Sequence, residues 1–83
     1  MSMNYITFRS ITPAQRGQSV LQKASISCTL QRTPRWMQQR SCGYSLRLRP
    51  ADTLEAVRLL RRSGVDFGRV YGGTEELPEE LML

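Results

Sequence analysis

The sequence predicts an α+β fold, a ferredoxin-like βαββαβ two-layer sandwich with a four-stranded antiparallel sheet and two helices on one face. Three observations predict it. Stretches around 4–9, 27–32 and 44–49 alternate apolar and polar residues with period two, while 12–24 and 52–62 carry apolar residues at helical spacing. Each helical stretch opens on residues that start helices. The whole chain is 83 residues, room for one domain with a thin core and little beyond a sheet and two helices.

The first strand is Asn4 to Arg9, with Ile6 and Phe8 on one face and Tyr5, Thr7 and Arg9 on the other. Thr12-Pro13-Ala14-Gln15 then reads as a helix start, with Thr12 as N-cap, Pro13 in the first helical position and Gln15 completing a capping box. Ala14, Gly17, Leu21 and Ala24 make a narrow apolar stripe widened by Val20, and such small residues predict close approach to the sheet. Strand two, Ser27 to Arg32, places Cys28 on the buried face with Ile26 and Leu30. Strand three, Tyr44 to Arg49, turns Tyr44, Leu46 and Leu48 inward and Ser45, Arg47 and Arg49 outward. Asp52 and Glu55 read as a second capping box, with Leu54, Val57 and Leu60 as the core line of the following helix and Ala56 and Leu59 beside it. Arg58, Arg61 and Arg62 complement its C-terminal dipole, and Gly64 ends it. Val65 to Tyr71 is a fourth strand whose alternation has no clear phase.

The domain is assigned to residues 1–72, with 73–83 as an acidic C-terminal tail. Leu77, Leu81, Met82 and Leu83 space out one or two helical turns, too short to be stable alone. The tail is expected to be disordered with weak docking, adding on the order of 1 kcal/mol or less.

Composition removes several chemistries. With two cysteines and no histidine, a Cys-His nucleophilic pair, a histidine general base and a His-containing zinc site are excluded, and Cys28 and Cys42 are too few for an all-cysteine metal site. No metal is expected. No apolar run approaches a membrane span, and Met1 to Tyr5 carries no signal-like segment, so a cytoplasmic, membrane-free location is expected. A reducing cytosol in turn argues against a Cys28–Cys42 disulfide. The formal charge is +5, but all twelve basic residues lie at or before Arg69, while four of the seven acids fall in the tail. Through Gly72 twelve cations face three acids, a net +9. Such a body attracts anions or acidic partners, or carries a solvated arginine-rich surface.

The connection Thr33 to Gly43 is long for a strand-to-strand link in so small a chain. It holds Pro34, Arg35, the single tryptophan Trp36, Arg40 and Cys42. A thiol is nucleophilic near neutrality without a separate base. If Arg35 or Arg40 lowered its pKa by about 1.5 units, the thiolate fraction at pH 7 would rise from roughly 3% to about half. The plainer reading is a small residue that starts a strand and packs on the core.

Five stretches together carry a family resemblance: Tyr5-Ile6-Thr7-Phe8, Leu21-Gln22-Lys23-Ala24, Thr33-Pro34-Arg35, Ser41-Cys42-Gly43-Tyr44-Ser45-Leu46-Arg47 and Gly68-Arg69-Val70-Tyr71. The chain resembles the DUF3343 family of selenium/sulfur carrier protein-like proteins over about residues 5 to 71. Pro34-Arg35 followed by Cys42-Gly43 is the most specific element. Family members usually end the first helix on glycine, where this chain has Ser25; Trp36 is bulkier than is usual after the arginine, and the acidic tail extends past the usual end.

The resemblance implies a sulfur or selenium carrier rather than an enzyme. Cys42 would hold the chalcogen as a persulfide or selenopersulfide, with no other cofactor. Arg35, with Arg40 as second candidate, would stabilise the anion, Pro34 would restrict where Arg35 points, and Gly43 would leave room for a partner's cysteine. Its partners would be a sulfur or selenium donor such as a cysteine desulfurase, and an acceptor enzyme. Two other classes compete. A nucleic-acid face would use Tyr5, Arg9, Arg47 and Arg49, with Thr7 and Thr29, on the sheet side opposite the helices. The aromatic-rich strand motif of RNA-recognition domains is absent, which disfavours it. A small regulatory or homo-oligomerising module is the third.

Overall fold

The computed structural model describes residues 3–32, 43–73 and 78–81. Its elements are β1 (Asn4–Phe8), α1 (Ile11–Lys23), β2 (Cys28–Arg32), β3 (Tyr44–Leu48), α2 (Pro50–Arg62), β4 (Val70–Gly73) and β5 (Pro78–Glu80). The sheet order is β2-β3-β1-β4-β5, antiparallel throughout. The first four strands and two helices give the βαββαβ arrangement of a ferredoxin-like fold.

The alternation places the core where the sequence puts it. Ile6, Phe8, Leu46, Leu48 and Val70 leave one face of the sheet and meet Ala14 and Leu21 of α1 and Ala56, Val57 and Leu60 of α2. Gly17 lets α1 close on the sheet: a Cβ there would lie 3.0 Å from Phe8 Cζ and 3.3 Å from Leu60 Cδ2. The two helices stop in the same way. Ile26 N–H donates to the Leu21 carbonyl and Ser25 N–H to that of Gln22, at 2.9 and 3.0 Å. Val65 and Gly64 repeat the pattern on Leu60 and Arg61, at 3.0 and 3.2 Å. These are Schellman motifs, and each pairs a buried residue of the last turn with a buried residue just beyond it, Leu21 with Ile26 and Leu60 with Val65.

The helix starts differ from expectation. The N-cap of α1 is Ser10, not Thr12, so Pro13 is the third helical residue; its missing N–H is still among the four that have no partner inside the helix. The N-cap of α2 is Arg49, not Asp52, and Pro50 opens the helix. Asp52 lies in the first turn, where its carboxylate favours the dipole and accepts from Arg49 Nε at 3.1 Å. The buried line of α2 runs through Thr53, Ala56, Val57 and Leu60, with Thr53 buried and Leu54 49% exposed.

Strand four begins at Val70 rather than Val65 because a bulge interrupts it. Thr7 N–H donates to the Arg69 carbonyl at 2.9 Å, but the Thr7 carbonyl accepts from Gly68 at 2.7 Å, so two residues oppose one. The displaced Arg69 N–H donates to Thr7 Oγ1 at 2.8 Å, and that hydroxyl donates to the Arg69 carbonyl at 3.1 Å. Beyond the bulge, Tyr71 pairs with Tyr5, and Gly72 lies beside Asn4.

Two burial expectations change. Ser45 points away from the helices yet is fully buried, and its Oγ has no hydrogen-bond partner. Cys28 does face the core but is only half-buried, because β2 is an outer strand with a neighbour on one side alone. The expected disordered or briefly helical tail instead contributes β5, which pairs with β4, and Leu81 packs against the core with its N–H donating to the Val70 carbonyl at 2.7 Å.

Candidate functional site

Register fixes where the long connection leaves and rejoins the sheet. Arg32 at the end of β2 stands opposite Tyr44 at the start of β3, and Tyr44 stands opposite Phe8 at the end of β1. The connection therefore belongs to the end of the sheet at which β1 finishes and α1 begins. Gly43 is its described anchor, packed on the backbone of β1. A Cβ at Gly43 would run into the Phe8 carbonyl oxygen and lie 3.5 Å from that of Arg9. This position thus needs glycine for close backbone approach, a structural reason beside the access expected from the sequence.

The antiparallel order brings the C-terminus of α2 to this same end. Arg9, Arg32, Arg61 and Arg62 gather there, all exposed, with Asp66 as the acid among the described residues. Arg61 lies over the Phe67 ring, 5.8 Å from its centroid. The N-terminus of α1, whose N-cap Ser10 makes no side-chain cap bond, adds its positive dipole end. An anion at this end of the molecule meets a favourable field.

Cys28 sits at the opposite end. It pairs with Leu48, five residues along β3 from Gly43, or about 16 Å. Cys42, the other half of the disulfide weighed from the sequence, lies outside the described residues. Burial pushes the Cys28 thiol above its ordinary pKa, the wrong direction for a nucleophile at neutral pH.

Family comparison places the chain as a whole. The model of the family described as "Putative Se/S carrier protein-like" matches residues 3–72. The chain belongs to that family. No curated protein and no solved structure matches it at a significant level.

Of the Se/S carrier-like residues singled out in the sequence, Gly43 is placed as above, while Pro34, Arg35, Arg40 and Cys42 lie outside the described residues. The residues of the alternative sheet face are all described. Tyr5 and Arg47 are cross-strand neighbours facing away from the helices. Arg9 lies just past β1, and Arg49 lies just past β3, paired with Asp52. Sequence reading missed Tyr71, which stands opposite Tyr5 on its other side; counting back two residues from Gly73 would not have phased it without knowledge of the bulge. Among the described residues no group of three or more His, Cys, Asp or Glu side chains could hold a metal ion, and no helix is long and apolar enough to cross a membrane.

Proposed function

We propose that the protein carries sulfur or selenium on Cys42 between a donor and an acceptor enzyme. The family match over residues 3–72 carries this reading. The Cys42 thiolate attacks the terminal sulfur of a donor persulfide, forming Cys42–S–S⁻ as the donor's cysteine leaves as a thiolate. The same exchange with a donor selenopersulfide gives Cys42–S–Se⁻. No oxidant is needed, because one chalcogen bond replaces another. The acceptor then removes the terminal atom and returns the thiolate, so the carrier has no turnover of its own. Such chemistry suits a reducing compartment such as the cytoplasm.

In this reading Arg35 holds the thiolate and the terminal anion, Arg40 assists, and Pro34 limits the directions Arg35 can take. The cationic end of the sheet and the glycine anchor support it: Gly43 gives the cysteine's neighbour a fixed seat on β1.

The test is intact mass after incubation with a cysteine desulfurase and cysteine. The expected product carries one added sulfur that dithiothreitol removes, in the wild type and in Cys28→Ser but not in Cys42→Ser. Loading that survives in Cys42→Ser, or fails in the folded wild type, overturns the assignment. A second measurement addresses Arg35. Alkylation rate against pH should show a higher Cys42 pKa in Arg35→Ala, and a smaller rise in Arg40→Ala. An unchanged titration in folded Arg35→Ala would mean that this arginine only shapes the loop.

A further inference from the structure

We infer that the sheet face opposite the helices binds single-stranded nucleic acid. The register lines up Thr29, Arg47, Tyr5 and Tyr71 in one row across β2, β3, β1 and β4. Their chain neighbours Leu46, Leu48, Ile6 and Val70 fill the core, so the row looks outward. Thr29 and Arg47 are exposed and the two tyrosines half-buried. Two adjacent rings beside a guanidinium offer what an unpaired strand needs: flat faces for its bases and a cation for its phosphate. The sequence alone discounts this face for want of stacking rings; the register supplies the second one, Tyr71.

Charge and composition select the occupant. Strands β1 to β4 contain no Asp or Glu, and the first acid in the chain is Asp52. Apart from its two tyrosines the row carries no apolar side chain, and Met3 beside it is too small a patch for two copies to associate face to face. Beside the row lies a cavity of about 360 Å³ whose polar lining includes Arg47, Arg49, Thr29 and Gln22 and whose apolar lining includes Met3 and Ile26. Guanidinium, hydroxyl and amide groups suit a phosphate there. Arg47 belongs to both the row and the cavity.

The platform is short and has a polarity. Its neighbouring row is closed, since Ser45 is fully buried and Thr7 nearly so. At one side the row ends where β5 continues the sheet; at the other, Arg47 leads into the cavity. A duplex, with its bases already stacked inside, cannot use the rings.

Fluorescence anisotropy of the full chain with a labelled oligouridylate of about ten nucleotides, against a duplex RNA of equal length, tests this. The expected result is tighter binding of the single strand, lost about fivefold or more in Tyr5→Leu and in Tyr71→Leu and retained in Tyr5→Phe. Arg47→Gln, at an exposed position, should reduce the slope of log affinity against log salt by about 0.7. Equal binding of duplex and single strand that ignores the tyrosine changes would reduce the effect to general basicity and overturn the inference. So would absence of binding at low salt, or light scattering that shows a dimer broken by Tyr5→Leu. Loading of Cys42 is read by mass and stands or falls separately.

Discussion

Asn4 and Thr53 are joined across the boundary between β1 and α2 by a buried hydrogen bond, Asn4 Nδ2 donating to Thr53 Oγ1 at 2.8 Å. Thr53 in turn donates to the Arg49 carbonyl at 3.1 Å, so one hydroxyl ties the first strand to the start of the second helix. Thr53→Val keeps the shape but leaves the Asn4 amide without this partner, and should cost about 1–3 kcal/mol in denaturant unfolding. Thr53→Ser, which keeps the hydroxyl, should recover most of that. Loss in Thr53→Ser with none in Thr53→Val would show that the methyl group, not the bond, matters.

Gly43→Ala should destabilise the fold. The new methyl would meet the Phe8 carbonyl, which is main chain and cannot rotate aside. Overpacking of this kind costs about 1–3 kcal/mol, sometimes more. A thermal melt of the variant within a degree of wild type would mean that Gly43 is held less closely than described.

Much of this was legible beforehand because it rests on period. The alternation of Ile6 with Phe8 and of Leu46 with Leu48, and the Gly64 stop, identify the layers without any long-range knowledge. What stayed hidden depends on contacts between distant residues. The phase of β4 is set by a bulge that Thr7 satisfies from another strand, and β5 exists through pairing with β4. Leu54 reads as core by its side chain, yet Thr53 takes the buried place, its hydroxyl bonded to Asn4 and to the Arg49 carbonyl. At the candidate site, Gly43 is legible as a glycine beside a cysteine, but its contact with Phe8 is not, since 35 residues separate them. Pro34, Arg35, Arg40 and Cys42 rest on the chemistry of their residue types in one long connection and on family resemblance, and lie outside the described residues.

Ser25→Gly should stabilise. Ser25 ends α1 with φ +63°, a conformation that costs an ordinary residue about 1–2 kcal/mol. After allowance for the freer unfolded chain, a gain of about 1 kcal/mol is expected, with Tm higher by about 4–8 °C. Gly64 holds the equivalent place after α2 at φ +70°, with nothing within 4 Å of a Cβ built there. Gly64→Ala should therefore lose about 1 kcal/mol through backbone strain alone. Opposite signs at the two sites check the argument by calorimetry.

Leu81→Ala should lower stability by about 1–2 kcal/mol, because the side chain packs on the core beside the β4–β5 pairing. Truncation after Gly73 should cost at least as much. A truncated chain that melts with the wild type would restore the view of the tail as dispensable.

Cys28 gives a pH signature. In Cys42→Ser, iodoacetamide should modify Cys28 slowly at neutral pH and faster in denaturant, with a rate still climbing above the ordinary thiol range, because burial raises its folded pKa. The sign follows by linkage: the folded state holds this proton more tightly than the unfolded state. The contribution to stability is thus complete below the unfolded pKa and is lost as pH rises through the folded one. Alkaline unfolding that is unchanged in Cys28→Ser would contradict this.

The meeting of Gly72 with Asn4 bears on how freely the chain could be rewired. The beginning of β1 and the end of β4 lie side by side, so the βαββαβ unit is nearly a closed ring of elements whose opening point is arbitrary. A gene reordered to start at Thr33 and finish at Arg32, with Gly73 bridged to Met3 in place of β5, would keep the four-stranded βαββαβ sheet and leave residues 33–42 joined to it at Gly43 alone. Such a molecule would ask whether the carrier segment needs both of its tethers, or whether one strand end suffices to present it.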